Sequence, residues 1–99
     1  MTNKPKCEID DAGNKHWILN GVYHREDGPA IEYKNGDKLW WLHGLRHRIN
    51  GPATESSDGV EWFVEGRQLY IDDAIIDFRL RTAYPELIAS MAAYLVHSS

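Results

Sequence analysis

The chain has 99 residues, 42% of them hydrophobic and 26% charged, with a formal net charge of −4. That is enough for one small globular domain, and no run reaches the ~18 apolar residues a membrane span needs. A net negative chain is a poor nonspecific ligand for phosphate backbones, which are bound by clustered Lys and Arg, so no nucleic acid and no membrane partner is expected.

Residues 1–12 open with "MTNKPKCEID", which lacks an apolar h-region; a cytoplasmic setting and a first strand are expected there. Cys7 is the single cysteine and reads as a half-buried strand residue, with no internal disulfide open to it.

Residues 13–71 repeat. Gly13, Gly36 and Gly59 recur every 23 positions, and Trp17 and Trp40 each follow four residues after such a glycine. "HREDGPA" at 24–30 returns as "HRINGPA" at 47–53, and Glu32 returns as Glu55. A fixed period of this length marks stacked units, none of which buries its apolar face alone. Asn35-Gly36 and Asp58-Gly59 lie between strand-like runs and predict type I′ hairpin turns. Further Gly-centred turns at Asn20-Gly21, His43-Gly44 and Glu65-Gly66 reverse the chain again. The third unit is one residue short: Phe63 stands four after its hairpin glycine, but Trp62 stands four before the next. Either the first two units carry a bulge that the third lacks, or the packing changes there.

Residues 72–99 are helical in pattern. Asp72 or Asp73 is the expected cap of a first helix, with Ile75, Ile76, Phe78, Leu80, Thr82 and Ala83 at helical spacing. Tyr84-Pro85 ends it, and Pro85 opens a second helix whose Leu87, Ile88, Met91 and Leu95 share a face. The predicted fold is therefore α+β: an antiparallel β-meander of about three stacked hairpin repeats, followed by one or two C-terminal α-helices.

Within "WILNGVYHREDGPAIEYKNGDKLWWLHGLRHRINGPA" the chain resembles the short repeats W-x-x-N-G-x-x-H-R-x-D-G-P-A of phage, viral and some bacterial proteins, which are similar in layout to MORN repeats. The resemblance covers roughly residues 13–70. It implies an open sheet of stacked hairpins and no particular reaction.

The duplicated set His24, Arg25, Asp27, Gly28, Pro29 and His47, Arg48, Asn50, Gly51, Pro52 is read as a structural corner, because an active site needs its nucleophile and base once. Asp27 and Asn50 are expected to bond their own backbone, and Arg25 and Arg48 to reach Glu32 and Glu55. The alternative, a metal site built from His16, His24, His43 and His47, has no completing ligand string. No cofactor and no enzymatic role are expected. Trp40 and Trp41 are neighbours on a strand and point to opposite faces, so one of them is expected to be exposed or to lie in an interface. The candidate protein-binding residues are Trp40, Trp41 and Trp62 with the acids Glu26, Asp27, Glu32, Glu55, Asp58, Glu61 and Glu65, facing a partner with a basic surface. With the phage resemblance, the expected role is a non-enzymatic inhibitor of a host defence protein, for example a CRISPR effector. The alternative is a homo-oligomeric accessory protein, dimerising through the C-terminal helix.

Overall fold

A computed structural model describes residues 4–98; residues 1–3 of the expected first strand and Ser99 of the last helix lie outside the described residues. Among the described residues ten strands precede three helices. The strands are β1 (Lys6–Ile9), β2 (Lys15–Leu19), β3 (Val22–Tyr23), β4 (Ile31–Glu32), β5 (Lys38–Leu39), β6 (Trp41–Leu42), β7 (Leu45–Arg46), β8 (Thr54–Ser56), β9 (Gly59–Val64) and β10 (Arg67–Leu69). The helices are α1 (Ile71–Ala74), α2 (Phe78–Ala83) and α3 (Pro85–Ser98). All pairings are antiparallel, in the order β1-β2-β4-β5-β8-β9-β10, with β3 beside β2 and a separate β6-β7 hairpin. This is the expected α+β meander with helices at its C-terminal end.

Two kinds of turn alternate along it, and the type I′ turns lie not at Asn35-Gly36 and Asp58-Gly59, where they are expected and where only the glycine has positive φ, but at the other Gly-centred turns. At Asn20-Gly21, His43-Gly44 and Glu65-Gly66 both central residues have positive φ, near 50° and then near 80°. That is the type I′ signature, matched to the right-handed twist of the flanking strands. At Asn35-Gly36 only the glycine is left-handed, φ 100°. There the Gly36 N–H donates to the Tyr33 carbonyl and the Tyr33 N–H to Asp37, a type I turn closed by a bulged glycine. Asn35 stays right-handed because its Oδ1 accepts the Asp37 N–H at 2.9 Å.

The bulge explains the missing residue. The first hairpin has the same bonds, Gly13 N–H to Asp10 and Asp10 N–H to Asn14. In the third, Ser56 pairs directly with Gly59, and no bulge residue is present. Backbone bonds then restore the register: Ala30 N–H to Leu39 in one unit becomes Ala53 N–H to Glu61 in the next. Trp62, not Phe63, is thus the partner in position of Trp17 and Trp40.

Neighbouring hairpins are joined by matching bonds. Arg25 N–H donates to Trp41 and Arg48 N–H to Phe63; Gly44 N–H donates to Tyr23 and Gly66 N–H to Arg46. The turn glycines are also sites of close approach. A Cβ on Gly44 would stand 3.2 Å from Val22, and one on Gly66 3.3 Å from Leu45.

The main core sits at the C-terminal end, where Trp62, Val64 and Leu69 are buried with Ala74, Leu87, Ile88 and Met91. At these positions the third unit has Leu69 and Tyr70 where the earlier units have His-Arg, so its face is apolar enough for helices to cover. The first helix differs from expectation. It is split after Ala74, and the cap is Asp77, whose carboxylate accepts the N–H groups of Arg79 and Leu80. Asp72 and Asp73 lie inside the first turn of α1, which has no side-chain cap. The break turns Ile76 and Phe78 outward, and each is about four-fifths exposed. Leu95, expected on the buried face of α3, is also exposed, as is Cys7 on the wholly exposed strand β1.

Candidate functional site

The corner residues come together around two arginines. Arg25 lies over the Trp17 ring at 3.9 Å and Arg48 over the Trp40 ring at 3.8 Å. Cation and ring attract through the ring quadrupole, and the guanidinium plane stacks. Arg25 Nη1 donates to the Pro29 carbonyl at 3.2 Å, and Arg48 Nη1 to the Pro52 carbonyl at 3.0 Å. Arg25 Nε donates to Asp27, and Arg48 Nε to Asn50. The Asp27 and Asn50 side chains thus hold the guanidinium, where an Asx-turn to their own backbone was expected. Glu32 and Glu55 complete the set at 3.5 Å and 2.7 Å.

Gly28 and Gly51 have ordinary φ, so their reason is space. A Cβ on either would stand 2.8 Å or 2.6 Å from the arginine Cζ. The repeated Gly-Pro-Ala is the seat of the arginine, with Ala30 and Ala53 fully buried beneath it.

The histidines bond backbone. The His43 N–H donates to His24 Nδ1 and the Glu65 N–H to His47 Nδ1, each at 2.9 Å. Each bond ties a corner to the left-handed residue of the next unit's turn. An accepting Nδ1 carries no proton, which leaves the proton on Nε2. His16 instead bonds the Asp10 carboxylate at 3.0 Å, an exposed contact that holds the Asp10 pKa at about 2, with help from the Asn14 N–H. Among the described residues no group of three or more His, Cys, Asp or Glu could hold a metal ion.

Neither Trp40 nor Trp41 is exposed: Trp40 is half-buried under Arg48, and Trp41 between Tyr23 and Arg46. Both indole N–H groups are buried without a hydrogen-bond partner. Trp62 is in the core, in edge contact with Tyr94.

The seven acids are differently engaged. Glu32 and Glu55 serve the corners, while Glu61 binds Arg46 at 3.0 Å, beside Arg46's contacts to Thr54 and the Phe63 ring. Asp58 sits in the β8–β9 turn, its N–H bonded to Ser56. Glu65 accepts from the Tyr84 hydroxyl at 3.3 Å; burial, and next the Glu65 charge, push the Tyr84 phenol above its ordinary pKa. Only Glu26 and Asp27 combine near-complete exposure, 80% and 89% of the side chain, with a position at a groove.

That groove, about 380 Å³, runs between the first and second corners. Trp40, Leu42 and Ile49 give its apolar lining, His47, Arg48 and Asn50 its polar side, and Glu26 and Asp27, with Arg25 bound to Asp27, its rim. Sequence reasoning found Trp40 and the acids but missed Leu42 and Ile49. Leu42 stands two residues after Trp40, on the same face of the strand, which was the available signal.

No family model, curated protein or solved structure matches the chain. Among the described residues no helix is long and apolar enough to cross a membrane.

Proposed function

We propose that the protein is a non-enzymatic protein-binding module, and that its binding surface is the groove rimmed by Glu26 and Asp27. One observation carries the reading: the Glu26 and Asp27 carboxylates stand nearly fully exposed beside an open apolar lining, Asp27 keeping one bond to Arg25 and Glu26 bonded to no arginine, while Glu32, Glu55 and Glu61 are each held by an arginine and less exposed. An apolar anchor flanked by basic groups would be recognised there, since buried anchors supply affinity and charge supplies orientation. The version in which the partner is a host defence protein, a CRISPR effector among them, follows from the resemblance of the repeat alone. The test is capture of partners on the tagged full chain and on its Glu26→Lys, Asp27→Lys variant, with the fold verified by circular dichroism. A stoichiometric partner kept by the parent and lost by the folded variant supports the reading; a partner held equally by both overturns it.

A further inference from the structure

We infer that the groove over Trp40, Leu42 and His47 receives a helix of the partner protein, its N-terminal end and a first-turn lysine or arginine directed at Glu26 and Asp27. This deepens the protein-binding reading and rests on it. The repeats themselves supply the argument. Trp62, Val64 and Leu69 hold in the third unit the places that Trp40, Leu42 and His47 hold in the second, as the backbone bonds at Ala53–Glu61 and Ala30–Leu39 fix the alignment. The first three are buried with Leu87, Ile88 and Met91 of α3. The second three line an open groove. A helix moved one unit toward the N-terminus therefore meets an indole, a leucine and an imidazole where α3 meets an indole, a valine and a leucine.

Charge then selects the occupant. Tyr84, which immediately precedes α3, packs edge-on against His47 with ring centroids 6.4 Å apart. The matching residue one unit back is His24, whose Nε2 lies 3.9 Å from Glu26 Oε1. A helix in that place brings its first turn beside Glu26 and Asp27. Unsatisfied N–H groups and the positive end of the helix dipole favour carboxylates there. α3 itself carries Glu86 in its first turn, which suits its own site, where Ile49 and Asn50 replace Glu26 and Asp27. A second copy of this chain would set Glu86 against Glu26, which no arginine neutralises, and against Asp27, which shares its charge with Arg25, so a helix beginning with a basic residue is favoured over self-docking.

The probe is a synthetic peptide of residues 84–96 with Glu86→Lys, cross-linked between positions 89 and 93 to hold the helix, beside the same peptide with Glu86 retained. Each is titrated into the isotope-labelled full chain. The lysine peptide should shift the Trp40 indole and the Leu42 and Ile49 amides, and should bind about tenfold more tightly than its glutamate counterpart. Ile49→Glu and Glu26→Lys change exposed side chains; in each variant the spectrum elsewhere should be unchanged and the affinity about tenfold lower. Absence of shifts at these three residues at about 1 mM peptide overturns the inference. Equal affinity of the two peptides overturns the basic-helix occupant. A captured partner that needs Glu26 and Asp27 but is not displaced by the lysine peptide overturns the helix and leaves the protein-binding reading intact. A partner indifferent to both acids overturns that reading itself.

Discussion

Arg48 occupies the volume that a side chain on Gly51 would take, its Cζ standing 2.6 Å from where that Cβ would be. Gly51→Ala must therefore push the guanidinium off Trp40 and loosen its bonds to Asn50, Pro52 and Glu55. A loss of about 1–3 kcal/mol is expected, from overpacking and broken bonds together. A double-mutant cycle isolates the cause: with Arg48→Ala already present, Gly51→Ala should cost less than half as much, because nothing remains for the methyl to displace. Additive losses in urea unfolding would place the role of Gly51 elsewhere, in the backbone.

The histidine of each corner gives a second prediction. His47 accepts the N–H of Glu65, an exposed residue, so water can replace the imidazole after His47→Ala. About 0.5–1.5 kcal/mol should be lost, with faster hydrogen exchange at the Glu65 amide. His24 makes the same bond but is itself buried, so His24→Ala adds an unfilled cavity to the lost acceptor. It should cost about 2–4 kcal/mol. Equal thermal shifts for the two variants would mean that the cavity collapses or that the bond is not what holds the corner.

These corners also show what could be read from the chain before its structure. The repeat, the meander and the Arg–Glu pairs were legible because they follow from spacing and from charge. The seat of the guanidinium was not: a glycine retained for space rather than for φ looks, in sequence, like any turn glycine. The type I′ turns were misplaced because Asn-Gly states only that left-handed conformations are tolerated. His43 and Glu65 are left-handed and each donates its N–H to a histidine of the preceding corner, whereas Asn35 remains right-handed with its own side chain accepting the Asp37 N–H. The groove escaped notice for a related reason. The likeness of the groove to the site of α3 appears only when the third unit's missing bulge is known, because that aligns Trp62 and Val64 with Trp40 and Leu42.

Asp10 supplies a prediction in pH. The His16 bond first, then the Asn14 N–H, lower its pKa from 3.8 to about 2. A carboxylate whose folded pKa is depressed stabilises the fold fully above its unfolded value and ceases to do so as pH falls through the folded one. The contribution should therefore fade between about pH 4 and pH 2, the window set by those two values. Carboxyl chemical shifts across that range should give a midpoint near 2 in the parent, and His16→Ala should move it back toward 3.8. An unmoved midpoint would assign the depression to the backbone N–H groups instead.

The helix break yields the last prediction, because it moves the cap from Asp72 or Asp73, where spacing places it, to Asp77. Asp77 accepts two N–H groups at the start of α2, at 2.9 Å and 3.2 Å, whereas Asp73 is exposed and its carboxylate caps nothing in α1. Asp77→Ala should cost about 1 kcal/mol, and Asp77→Asn should recover most of it, since an amide oxygen still caps. Asp73→Ala should lie within about 0.5 kcal/mol of the parent, as expected of a surface change with no partner to lose. Thermal unfolding of the three variants decides the matter. If Asp73→Ala were the costly one, residues 72–83 would form the single helix that spacing alone predicts, and the outward placement of Ile76 and Phe78 would have to be abandoned with it.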